Sequence, residues 1–193
     1  PAAVRVAAAE VRFRSCRFLG IGDAGLELVA GASDPRRNER RGHRVEGCRF
    51  EEIGAGAIKL GRGLSDAVVA DCTVRGFGRL HPQAAAIWAG EVRRVRIERN
   101  RIGDGDYTAI SIGWNWGFDD TGAGDNRILA NDVSAIGRGE LSDMGGIYTL
   151  GAQPGSTMEG NRVRDVRSRG YGGWGVYLDE GASGWTVRRK VVR

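Results

Sequence analysis

The chain has 193 residues, 41% of them hydrophobic, with 32 glycines but only 4 prolines. That apolar share excludes a disordered or linker chain, the length suits one domain with its own core, and the glycine content demands many turns. The net charge of +5 rests almost wholly on arginine, since lysine occurs only at 59 and 190; it admits acidic partners, but no recognition-helix or RNA-binding motif accompanies it, so nucleic acid is not an expected partner.

In chain order, one short unit recurs: an apolar residue, two variable positions, Cys or Asn, one variable position, and a second apolar residue. It begins at Phe13, Val45, Val69, Ile97, Ile128 and Met158, and closes in altered form at Val187, with steps of 32, 24, 28, 31, 30 and 29 residues. A second apolar alternation follows each of the first six units: Leu26/Leu28, Ile58/Leu60, Ile87/Trp88, Ile110/Ile112, Ile147/Thr149 and Val176/Leu178. A period of two predicts strands, and no window carries a helical stripe. No run of 18 apolar residues predicts a membrane-spanning helix.

Strands repeating about every 30 residues, with no helices between them, predict a coil in which each turn lies parallel to the last. The expected fold is all-β: a right-handed parallel β-helix of six to seven coils forming one domain over 1–193. The pattern is already running at Pro1 and is interrupted at Arg193, so a piece of a longer protein is expected.

Asn100, Asn131 and Asn161 fall in one column and are expected to stack at an inward-facing turn, bonding to one another and to backbone. Cys16, Cys48 and Cys72 hold the same column in earlier coils. A disulfide with a spare thiol, or a metal site, is one reading; equivalent positions favour a buried thiol stack. Lys190 breaks the column.

The link before the second alternation is four residues in the first two coils and longer in the next four: 78–86, 103–109, 137–146 and 167–175. The link after it also grows, most at 113–125. Long loops on both sides of one strand column predict walls around a floor. Alternation turns Lys59, Trp88, Ser111, Tyr148 and Tyr177 outward onto that floor. Aromatic side chains there suit stacking against sugar rings, with Trp114, Trp116 and Trp174 as wall candidates, Asn115 between them, and His81 in the third coil's long loop.

Asp143 precedes one floor strand, and Asp179 and Glu180 follow the next. Glycosidic cleavage needs two carboxyl groups, one protonated and one ionised. A straight strand would separate Asp143 from Asp179 by about 23 Å, far beyond a glycosidase pair, so the 137–146 loop must fold back over the floor, as Gly145 and Gly146 permit. Asp106 and Asp143, one coil apart in a shared column, form a rival pair.

The DMGGIYT segment at 143–149, the "GN" of MEGNRV, and YLDEGASG at 177–184 resemble the β-helix glycoside hydrolases that act on xylan and fucosides, best over residues 95–190. The resemblance implies a carbohydrate substrate, two acids on neighbouring coils at Asp143 and Asp179 with Glu180 beside them, polysaccharide degradation, and a secreted, periplasmic or cell-surface location. Met144 interrupts the usual DGG run and puts the exact turn there in question.

Two other classes stay open. A polysaccharide lyase or epimerase needs a basic group near a uronate, often with calcium, and the Arg-rich stretch 34–44 is its candidate contact. Asp119, Asp120 and Asp125 match no defined calcium loop, so no metal or other cofactor is expected. His43 and His81 have no evident triad partners. A non-catalytic adhesin or glycan-binding module is the third reading. Oligomeric state is not legible.

Overall fold

The computed structural model describes residues 1–30 and 42–193, so most of the Arg-rich stretch lies outside the described residues. Among those described there is no helix; 21 strands divide into three parallel sheets of seven. Each coil contributes one strand to sheet A, one to sheet B and one to sheet C, and the repeat read from sequence is the register of these sheets. In sheet A, Leu26, Ile58, Ile87, Ile110, Ile147 and Val176 stand side by side. In sheet B the column is Phe13, Val45, Val69, Ile97, Ile128, Met158 and Val187. In sheet C it is Phe18, Phe50, Val74, Ile102, Val133, Val163 and Val192. Most of these side chains are fully buried and together form one continuous core along the axis.

The recurring unit therefore spans two strands, not one rung. Sheets B and C are separated by a tight turn whose first residue adopts left-handed backbone in every coil: Ser15, Gly47, Asp71, Arg99, Ala130, Gly160 and Arg189, with φ between 51° and 68°. One strand escapes the sequence pattern: Ala2–Val6 opens sheet A beside Ala24–Leu28.

The Cys/Asn column follows that turn and is buried from Cys48 to Asn161, with Cys16 half-buried at its first coil. Asn131 Oδ1 accepts from the backbone N–H and the Nδ2 of Asn100, each at 3.0 Å, and Asn161 Oδ1 accepts the same pair from Asn131, each at 2.9 Å. Asn100 in turn takes the backbone N–H of Cys72 at 2.9 Å, joining the amide stack to the thiol stack. All three cysteines are free, which rules against the disulfide reading. Burial pushes the Cys72 thiol up to about 12 and that of Cys48 upward as well. The thiolate is the reactive form, so Cys72 in the native protein should react with a disulfide reagent at mildly alkaline pH roughly 10³-fold more slowly than after unfolding. Comparable rates in the two states would show that the stack is open to solvent.

A second polar ladder lies between sheets A and B. Asn126 accepts the Val95 N–H and donates to Val92 O and Gln153 Oε1, each at 2.9 Å, and its own N–H goes to Ser156 Oγ at 3.0 Å. It fastens the base of the long 113–125 loop. On the surface, arginines pair with acids on adjacent coils: Arg94 with Asp66, Arg99 with Asp71, Arg79 with Asp104, and Arg93 with Asp125. Much of the basic charge is thus spent tying coil to coil, a modest contribution per exposed pair.

Candidate functional site

The outward column of sheet A reads Arg5, Glu27, Lys59, Trp88, Ser111, Tyr148 and Tyr177, one residue per coil. The expected floor column is therefore present, but it is not open along its length. Ser111 is fully buried and Tyr148 is 2% exposed. The cause is Trp114, which leaves the strand at Gly113 and folds back: its Nε1 donates to Ser111 Oγ at 3.0 Å, and its ring sits 6.2 Å from Tyr148 and 5.9 Å from Trp88. Arg62, from an earlier coil, holds the Trp114 carbonyl at 3.1 Å. Trp114 is a cover over the floor as much as a wall.

At the far end the loops close in from both sides. Tyr171 and Trp174, in the 167–175 loop and the strand it enters, meet edge to face at 4.9 Å, and Trp174 packs on Tyr177 at 4.4 Å. Opposite them, Trp116 and Phe118 project into solvent at 58% and 79% exposure. Their loop leans on the turn after Leu178: a Cβ at Gly181, where φ is 73°, would lie 1.8 Å from the Gly117 carbonyl, so only glycine lets the two segments touch.

The carboxylates meet this cluster from opposite ends. Tyr148 and Tyr177 pack edge to face with ring centres 4.9 Å apart. The Tyr177 hydroxyl donates to Asp143 Oδ1 at 3.0 Å, and the Tyr148 hydroxyl donates to Asp179 Oδ2. The 137–146 loop does curl back toward the floor: Asp143 has φ 54°, and the Tyr107 hydroxyl donates to its carbonyl at 2.9 Å. Gly145 makes room, because a Cβ there would sit 2.9 Å from Tyr177 Cβ. Met144, the residue out of place in the motif, is fully buried in the core.

Burial first, and then the hydrogen bond to Asp179, raises the Tyr148 phenol well above its ordinary range. Burial likewise leads at Tyr177, followed by hydrogen bonding with Tyr171, Asp143 and Asp179, so both acids act on that one phenol. Tyr107 is raised too, by burial and then by the Asp143 charge. A phenol whose folded pKa exceeds its unfolded value of about 10 contributes stability that is complete below pH 10 and is lost as pH rises beyond it. Native-state absorbance titration should show three phenols ionising late, and Tyr148→Phe or Tyr177→Phe should each remove one and flatten the alkaline fall in melting temperature. A single shared transition near pH 10 for all four tyrosines would contradict this.

The remaining expected residues are dispersed. Asp106 is bound by Arg138, Nε to Oδ1 at 2.6 Å, and makes no bond to Asp143. Glu180 is exposed and enters through its backbone, accepting the Gly151 N–H at 3.0 Å. Asn115 stacks its backbone on Gly151. His81 is exposed on a turn two coils before Tyr148, its N–H on Gly54 O at 2.7 Å. His43 is buried and its ring accepts the Val11 N–H. Asp125 is paired with Arg93, and Asp120 caps the Gly122 N–H. Among the described residues, no three His, Cys, Asp or Glu side chains converge as a metal site. Sequence reasoning passed over Tyr107 and Tyr171; their signal was an aromatic residue in two of the four lengthened loops before sheet A, 103–109 and 167–175.

A family model described as "Right handed beta helix region" matches residues 2–192. The chain belongs to the right-handed β-helix family. A solved structure titled "Glycoside hydrolase" superimposes with a TM-score of 0.75 at 22% identity, over 99% of this chain. This chain spans only 37% of that protein's length, and at such identity the likeness extends to the fold alone. A search of curated proteins returns no match. No helix of the described residues is long and apolar enough to cross a membrane.

Proposed function

We propose that this β-helix belongs to a carbohydrate-active hydrolase that cleaves glycosidic bonds at the end of sheet A where Asp143 and Asp179 converge. The observation that carries the reading is the pair of packed tyrosines that joins these two acids, which sequence order places on different coils. In the reaction one carboxyl group gives its proton to the leaving glycosidic oxygen, and the other, ionised, attacks the anomeric carbon or takes a proton from the attacking water. Tyr148 and Tyr177 stay protonated through the neutral range and so hold each acid by a donated hydrogen bond. Tyr171, Trp174 and Trp116 offer apolar faces to sugar rings around them. Sheet A's outer face, walled by long loops, supplies the concavity such a substrate needs.

The test is release of aryl alcohol from a panel of aryl glycosides by the full-length protein, run beside pectin and alginate. Hydrolysis of one glycoside without unsaturated products supports the reading. A calcium-dependent rise in ultraviolet absorbance on the acidic polymers would replace it with a lyase. Binding without turnover would leave a glycan-binding module.

A further inference from the structure

Upstream of the tyrosine pair, the outer face of sheet A holds a groove of about 450 Å³. Glu27, Lys59, Gln83, Trp88, Tyr107 and Trp114 line it. It stops short of both Asp143 and Asp179, yet it shares Tyr107 and Trp114 with the cluster around them: Tyr107 bonds the Asp143 carbonyl, and Trp114 packs against Tyr148. Ring-to-ring contacts run unbroken from Trp88 through Trp114 and the buried Tyr148 to Tyr177, with successive ring centres 5.9, 6.2 and 4.9 Å apart. Trp88 and Tyr148 are two coils apart in register, about 10 Å along the axis at about 4.8 Å per coil. A pyranose chain advances by nearly one coil per sugar.

We infer that this groove is a distal subsite, which holds a further sugar of an uncharged glycan chain whose scissile bond lies over the tyrosine pair. The inference rests on the proposed hydrolytic reading for the position of that bond, but the groove's binding is separable from it. The partly exposed faces of Trp88 and Trp114 supply the stacking surface. Gln83, Glu27 and Lys59 supply donors and acceptors for hydroxyl groups at the rim. The charges select against an acidic chain. Among the described residues two cations line the groove, and each is held by a carboxylate: Lys59 Nζ is 2.9 Å from Glu27 and 5.6 Å from the centre of the Trp88 ring, and the Pro1 ammonium pairs with Asp23. Glu27 carries a second partner, Arg5 at 3.2 Å, and Asp23 adds another carboxylate to the lining. A uronate entering here meets two carboxylates, and both ammonium groups are already engaged by them.

The chain-length dependence of binding tests this in the full-length protein carrying Asp179→Asn, which separates binding from turnover. Tryptophan fluorescence is titrated with xylohexaose, cellohexaose, mannohexaose and hexagalacturonate, and with the disaccharide of each. At least one neutral hexasaccharide should bind ten times or more tighter than its disaccharide, and hexagalacturonate should show no such gain. Trp88→Ala should cut the hexasaccharide-to-disaccharide ratio about tenfold, the loss of one stacked ring. Gln83→Ala, in an exposed turn, should lower the ratio severalfold and serves if the tryptophan variant does not fold. An unchanged ratio in both variants, a gain limited to hexagalacturonate, or no binding by any hexasaccharide would overturn the subsite. Length-dependent binding without hydrolysis by the wild type would instead keep the groove and remove the proposed reaction.

Discussion

Replacing Asp179 by Asn in the full-length protein should lower glycosidase turnover by about 10²–10⁴-fold, and Asp143→Asn should do the same, since each removes one of two carboxyl groups that no neighbour replaces. Asn keeps the size and the acceptor oxygen, so the Tyr148 and Tyr177 hydrogen bonds survive and the melting temperature should change little. That split is the point of the experiment. Glu180→Gln should leave turnover within a few-fold of wild type, because Glu180 is tied in through its carbonyl and its side chain is exposed. Asp106→Asn should act through stability, by releasing Arg138 from its short ion pair. If Asp143→Asn retained wild-type turnover while Asp179→Asn lost it, the acid partner would have to be sought elsewhere along the wall.

The second large effect lies in the scaffold. Asn131→Ala should destabilise the protein by about 3 kcal/mol, because it strips the acceptor from the buried Asn100 N–H and leaves that group unpaired. At this chain length that corresponds to a fall of roughly 6–12 °C in melting temperature. Asn131 sits in mid-ladder, bonded to both neighbours, whereas Asn100 ends the amide run against Cys72. In a solenoid each coil is stabilised mainly by its neighbours, so the loss should fall on the coils on either side and broaden the unfolding transition. A fall below about 2 °C by calorimetry would mean that water enters the turn and satisfies Asn100.

Register was the most legible property of this chain. Period-two apolar pairs at about 30-residue spacing leave one parallel arrangement, and the columns from Phe13 to Val187 and from Leu26 to Val176 follow from it directly. The separation of sheets B and C was hidden because the turn between them is short and only Gly47 and Gly160 mark it; Asp71, Arg99 and Ala130 adopt the same left-handed backbone without any glycine signature. The burial of Tyr148 was hidden for a different reason. Alternation states which way a side chain leaves the sheet, not what later covers it, and the cover is Trp114 from a loop with no periodicity. The meeting of Asp143 with Tyr177 depended likewise on loop curvature at Asp143 and Gly145. Spacing alone placed the two acids far apart; the structure ties Asp143 to Tyr177 and Asp179 to the neighbouring Tyr148.

Because successive side chains of the sheet A column come from successive coils, a ligand laid along the axis is read crosswise to the strands, one residue per turn of chain. Glu27, Lys59, Trp88 and Tyr177 thus stand as graduations on a ruler, with Trp114 lying over the Ser111 and Tyr148 marks between them. Each belongs to a module of about 30 residues whose inward neighbours repeat nearly unchanged. Recognition can be rewritten at one graduation without disturbing the next, and duplication of a coil lengthens the ruler by a single mark while leaving the register of every other intact.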